Sequence, residues 1–273
     1  MSVRKIDVSP DSTQIAIGTG VRVDVSPDWG ETSTFGKATV YVWSLSTWKQ
    51  LFELRGPNSD HVLPGPESGN VLAVKFSPDG RLIATAIRLY TSGDPRVRVN
   101  DSRDGHLLVE VPINISRFSG QPLTWSSNSK QLFALSEGCK IYCLDATTIE
   151  KLSQWRVPGK SYSGCITPAD NGAFIAASAG SSVSFWDTTT HKRIGSVIEH
   201  GTAPVHQVNC MAISENYHVA IGGGNRITFR TIRDILPSTY VSTFASTLNQ
   251  TVSLTVAVST GKPRNKGWSQ VKK

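Results

Sequence analysis

Residues 71–86 read VLAVKFSPDGRLIATA, two apolar runs on either side of a four-residue turn. Six mostly apolar residues, 71–76, run into Ser77-Pro78-Asp79-Gly80, and a second short apolar run follows over 82–86. Proline at the second position of a tight turn presets φ, aspartate bonds back to nearby amides, and glycine accepts positive φ. The four residues therefore reverse the chain, and the stretch reads as a β-hairpin. Its strands are short and apolar on both sides, so both faces have to be covered.

The same arrangement returns along the chain. Residues 3–8 lead to Ser9-Pro10-Asp11-Ser12 and then 14–19; residues 122–125 lead to Ser126-Ser127-Asn128-Ser129 and then 131–135. Residues 165–166 lead to Thr167-Pro168-Ala169-Asp170 and then 173–178, and residues 208–213 lead to Ser214-Glu215-Asn216 and then 218–221. The turns begin at Ser9, Ser77, Ser126, Thr167 and Ser214, in steps of 68, 49, 41 and 47 residues. A period of about forty residues, each unit all-β, marks a propeller array. The first step is longer because it carries insertions. Each hairpin is followed by a third apolar run and a weaker fourth: 39–43 and 48–54, 96–100 and 107–111, 140–144 and 150–157, 183–186 and 193–198. The expected fold is an all-β propeller of about five four-stranded blades, at 1–55, 70–113, 121–157, 163–198 and 206–245. Residues 246–273 add a C-terminal strand and a basic tail.

The chain has 273 residues, of which 38% are hydrophobic and 18% charged, a globular composition. No apolar run approaches the roughly 18–20 residues that span a bilayer, and the first seven residues, MSVRKID, lack the apolar core of a secretory signal. The expected location is the cytoplasm or the nucleus. The four cysteines, Cys139, Cys143, Cys165 and Cys210, form no CxxC pair and read as reduced core residues. Net charge is +7, yet residues 1–225 hold 20 basic and 20 acidic side chains. All of the excess lies beyond them, ending in Lys262, Arg264, Lys266, Lys272 and Lys273. The body shows no basic face, so nucleic acid is not the expected partner.

Ser77-Pro78-Asp79-Gly80 before a short apolar strand, Phe185-Trp186-Asp187 closing the third strand of unit four, and Val42-Trp43-Ser44 in unit one resemble WD-repeat β-propellers. The resemblance covers about residues 1–235. Trp186-Asp187 is the intact signature dipeptide; the matching places hold Trp43-Ser44, Asn100-Asp101, Leu144-Asp145 and Arg230-Thr231. In style these degenerate repeats resemble those found beside nucleotide-dependent signalling domains in fungal proteins. Asp101, Asp145 and Asp187 each head a tight turn, where a carboxylate accepts backbone N–H groups. The family's blades often tie a His, a Ser or Thr, an Asp and the Trp into one hydrogen-bond network. In unit four Ser178 and Trp186 match that set, while the His and Asp places are empty.

Residues 20–37, between strands two and three of unit one, read as a duplicated hairpin arm; 56–69 and 199–206 join successive units. The resemblance implies that these insertions open on one face. Trp29, Phe35, His61, Tyr90, Arg117 and Tyr162 all fall in loops of that rim, and aromatics with arginine anchor interfaces. Trp29 and Phe35 folding back onto their own arm is the competing reading. Trp43, Trp125, Trp155 and Trp186 lie in strands and read as core. In unit five, residues 240–244 are the candidate fourth strand, and the apolar run 252–258 lies outside the repeat. No leading strand is present to clasp the last blade, so the array is expected to be incomplete or part of a larger ring.

GxSxG is absent, Lys160-Ser161 lacks the partner glycine of a phosphate loop, and the histidines have no HxH or HExxH spacing. His200 and His206 flank a loop and read as solvated or capping residues. No catalytic residue, metal or cofactor is expected. The reading is a non-catalytic scaffold that binds a protein partner through one loop-rich face. The alternatives are a propeller enzyme with a central-channel site and nucleic-acid contact through the basic tail.

Overall fold

The computed structural model describes residues 2–20, 23–24, 32–33, 38–54, 69–89, 95–115, 120–159, 164–169, 172–202, 207–233 and 235–241. Blade one contains β1 (Ser2–Val8), β2 (Gln14–Gly20), a two-stranded arm of β3 (Val23–Asp24) and β4 (Thr32–Ser33), then β5 (Val40–Ser44) and β6 (Gln50–Glu53). Blade two is β7 (Gly69–Phe76), β8 (Leu82–Leu89), β9 (Pro95–Asp101) and β10 (Leu107–Pro112). Blade three is β11 (Leu123–Trp125), β12 (Gln131–Leu135), β13 (Lys140–Asp145) and β14 (Lys151–Arg156). Blade four is β15 (Ile166–Pro168), β16 (Phe174–Ala179), β17 (Ser182–Asp187) and β18 (Arg193–Glu199). Blade five is β19 (Cys210–Ile213), β20 (His218–Gly223) and β21 (Arg226–Thr231), followed by one helical turn, α1 (Ser238–Val241). Within each blade, strands pair antiparallel in chain order, except that in blade one β2 pairs with β5 and the β3–β4 arm stands apart as its own pair; a single pair, Gly20 with Asn70, joins the sheets of blades one and two.

The turns show why these residues form hairpins. The Ser77 N–H donates to the Leu82 carbonyl (2.9 Å), and the Leu82 N–H donates to Ser77 Oγ (3.0 Å). Ser77 Oγ donates to Asp79 (2.6 Å), which also accepts the Arg81 N–H (3.1 Å). Ser9 with Asp11, and Ser126 with Asn128, repeat this pattern. The fourth residue of each turn has positive φ: Ser12, Gly80, Ser129, Gly172 and Tyr217. In blade four the frame therefore starts at Ala169, whose N–H donates to the Phe174 carbonyl (2.8 Å), and not at Thr167. The correction evens the period. A second turn, between strands three and four, is headed by Ser44, Asp101, Asp145 or Asp187, and the residue four places on (Trp48, Gly105, Ile149, His191) again has positive φ.

The core is a series of blade-to-blade interfaces. Ala16, Val40 and Val42 meet Val74, Ile83 and Ile87 between blades one and two. Val97 and Val99 meet Leu123, Leu132 and Leu144 between blades two and three. Phe133 and Ile141 meet Ile166, Ile175 and Trp186 between three and four, and Phe174 and Phe185 meet Val208, Val219 and Ile221 between four and five. Each sheet buries its two alternating sets of side chains against two neighbours. The two outer faces lack one. Ile6, Ile17 and Tyr41 form a cross-strand row on blade one, as do Val8, Ile15 and Trp43, and Ile6 and Val8 are exposed.

Several expectations are corrected. Trp125 and Trp186 are buried, but Trp43 and Trp155 are only partly so; Trp43 lies on the uncovered face of blade one. Cys139, Cys143 and Cys165 are buried free thiols, whereas Cys210 is exposed. Burial pushes the Cys143 thiol up to about 11 and the Cys165 thiol up to about 12. Residues 240–241 belong to α1 and not to a fourth strand, and 242–244 lie outside the described residues. Among the described residues, no helix is long and apolar enough to cross a membrane.

Candidate interaction rim

The strand ends that flank the loops expected to bind partners fall into two groups. Gly20 pairs with Asn70, Asn70 with Arg88, and Arg88 with Pro95, so the roots of the segments after β2, before β7 and between β8 and β9 lie side by side. Nearer the centre, Lys5 Nζ donates to the Gly120 carbonyl, and the Gly120 N–H donates to the Gly164 carbonyl (3.2 Å). Gly120 is packed so closely on Asn209 that a Cβ there would lie 1.5 Å from the Asn209 carbonyl oxygen. The roots of the segments entering blades three, four and five therefore converge on one glycine that has no room for a side chain. Trp29, Phe35, His61, Tyr90, Arg117 and Tyr162 themselves lie outside the described residues.

Three charged side chains of the inner strands, Lys5, Asp7 and Lys75, bond across blades. Lys75 Nζ lies 2.8 Å from Asp7 Oδ1, and the Phe76 N–H donates to Asp7 Oδ2 (2.8 Å). Burial lowers the Lys5 pKa, and the nearby charge of Lys75 adds to that effect. The Trp125 indole donates to the Lys75 carbonyl (3.1 Å), tying blade three to blade two. Among the described residues, no group of His, Cys, Asp and Glu is placed to hold a metal ion.

The repeat residues form smaller networks than the family set. Ser178 Oγ accepts the Cys165 N–H (2.9 Å), and the Trp186 indole instead donates to Ser184 Oγ (2.9 Å). Asp187 accepts the Thr189 N–H (2.9 Å) and the Tyr240 hydroxyl (2.6 Å), so the α1 turn is bound to blade four. In blade two, buried Asn100 donates to the Gly105 carbonyl (3.0 Å) in the place of a tryptophan. His200 is neither solvated nor a loop cap. It is 2% exposed, with Nδ1 2.9 Å from Thr228 Oγ1 and Nε2 3.0 Å from the Gly223 carbonyl. No spacing signal marked this role, because both partners come from the next blade.

The profile of the WD domain, G-beta repeat (WD40) matches residues 57–101, the approach to blade two and its first three strands. The β-propeller domain of Myceliophteria thermophila Cps50 (Swd1) superposes with a TM-score of 0.57 at 17% identity, over 83% of this chain and 64% of that domain. The chain is a β-propeller that carries a WD repeat. No curated protein matches its sequence. The chain thus spans less than two thirds of the solved domain it resembles.

Proposed function

We propose that this WD-repeat propeller is a protein-binding scaffold that works through the loops at one end of its blades and performs no catalysis itself. WD-repeat propellers generally mediate protein–protein interaction. The observation that carries the reading here is the gathering of loop roots: Gly20, Asn70, Arg88 and Pro95 in one row, and Gly120 against Gly164 and Asn209 in another. Loops held on a rigid frame vary in sequence without cost to the core and are suited to recognition. Trp29, Phe35, His61, Tyr90, Arg117 and Tyr162 are the proposed contacts, and the cytoplasm is the proposed compartment. A channel enzyme would need free polar groups on the inner strands, and Lys5, Asp7 and Lys75 are each already bonded to another blade or its approach.

Affinity capture from native extract, comparing the wild-type chain with the Trp29→Ala/Tyr90→Ala variant, tests the rim. The variant is expected to lose specific partners while keeping its melting profile; equal recovery by both proteins would overturn the proposal. Deleting residues 262–273 tests the tail separately: binding to immobilised nucleic acid that is salt-sensitive and lost on deletion would favour the tail reading.

A further inference from the structure

Blade five is the one described blade with three strands; each of the others has four, the separate β3–β4 arm of blade one aside. Its third strand, β21, is also unlike its counterparts. β9, β13 and β17 are largely buried, whereas in β21 only Thr228 is, and Ile227 and Phe229 stand 68% and 69% exposed. An open edge with apolar side chains beside it invites another strand. In blades one to four a five-residue turn supplies that strand directly. In blade five the chain leaves β21 through Ile232, and α1 carries it to Asp187 of blade four.

The fourth strands of the other blades follow a rule. Each places an apolar residue opposite the third-strand residue that faces the next blade: Phe52 opposite Val42, Val109 opposite Val99, Trp155 opposite Ile141, and Ile194 opposite Phe185. On blade five the equivalent rows are Ala212, Ala220, Phe229 and Cys210, Gly222, Ile227. Beyond α1, residues 252–258 read VSLTVAV, with Val252, Leu254, Val256 and Val258 alternating with Ser253, Thr255 and Ala257. That is a period-two pattern rich in β-branched residues, suited to a strand. Its seven residues equal the length of β18. The ten residues 242–251 can span up to about 33 Å when extended, ample to return the chain from α1 to the β21 edge.

We propose that residues 252–258 are the fourth strand of blade five, pairing antiparallel with β21 and adding Val252, Leu254, Val256 and Val258 to the face that bears Ile227 and Phe229. The pairing gives blade five the same four strands as the other blades and covers the β21 edge within the chain itself, which keeps β21 from pairing with a second copy.

Hydrogen exchange read by mass spectrometry on the full chain tests this, comparing wild type with Leu254→Pro and a Thr260→Pro control. Proline removes a ladder donor and is excluded from paired strand interiors. In the wild type, residues 252–258 are expected to exchange at least about tenfold more slowly than residues 262–273. Leu254→Pro should remove that protection and speed exchange in 226–231, leaving 174–187 unchanged; Thr260→Pro should do neither. Exchange of 252–258 at the rate of 262–273, or 226–231 unaffected by Leu254→Pro, overturns the proposal. Protection of 226–231 that rises with protein concentration and ignores Leu254→Pro also overturns it, in favour of a second copy at the edge.

Discussion

The contact between Tyr240 and Asp187 joins residues 53 apart in sequence and fastens α1 to the signature turn of blade four. Tyr240→Phe deletes only the hydroxyl. The ring keeps its edge-on contact with Phe174, at 6.5 Å between centroids, and the Tyr240 carbonyl keeps the Tyr217 hydroxyl at 3.0 Å. Hydrogen bonds to charged groups contribute about 1.5–3 kcal/mol, and a partly exposed site takes the lower end, about 1.5 kcal/mol. For a chain of this size that lowers Tm by roughly 3–6 °C if unfolding is cooperative. Blades unfold semi-independently in repeat folds, so exchange in residues 235–241 is the more direct readout. The pH dependence adds a second signature. The Tyr240 phenol is pushed up to about 12, chiefly by its bond to Asp187. A raised pKa means the stabilisation is complete below the unfolded value near 10 and is lost as pH rises towards 12. On Asp187, burial acts upward but is outweighed by the Tyr240 hydroxyl and the Thr190 amide, leaving its pKa below the ordinary 3.8. Its share is therefore present above about 3.8 and lost as pH falls further. Tyr240→Phe should abolish the alkaline limb and reduce the acid one. A variant within about 0.3 kcal/mol of wild type at pH 7, or one that retains the alkaline limb, would refute the reasoning.

Trp48 is 70% exposed yet held at φ 54°, so Trp48→Gly removes backbone strain with little lost packing and should stabilise by about 1 kcal/mol in urea unfolding. Gly120→Ala should destabilise by about 1–3 kcal/mol, because its methyl would collide with the Asn209 carbonyl; faster exchange at 207–213 would place the damage between blades three and five. His191 stacks on Trp155 at 4.7 Å between centroids and lies 2.9 Å from Ser153 Oγ. Burial lowers its pKa below 6.5, with the Asp187 charge opposing, so stability is complete above 6.5 and declines as pH falls through the window beneath it. His191→Asn, which tolerates positive φ, should flatten that decline between about pH 7 and 5 in denaturant titrations; an unchanged slope would assign the acid sensitivity elsewhere.

The hairpins were legible in the sequence because their decisive contacts lie within five residues: Ser9 with Gln14, Ser77 with Leu82, and Ser126 with Gln131 close their turns through side chains whose spacing can be read directly. Period and alternation then determined stacked blades, since sheets with two apolar faces need a neighbour on each side. Thr167 misled because Thr-Pro resembles Ser-Pro locally, while the paired register of β15 with β16 places the turn at Ala169. The grouping of the rim's loop roots depends on which strand ends pair, and that is a property of the assembled sheets. The choice of Ser184 over Ser178 for Trp186, the burial of His200 beneath Thr228 and Gly223, and the docking of Tyr240 on Asp187 were likewise decided by tertiary structure. Each joins groups whose proximity follows from strand register or from one blade lying on another, and residue order alone carries neither.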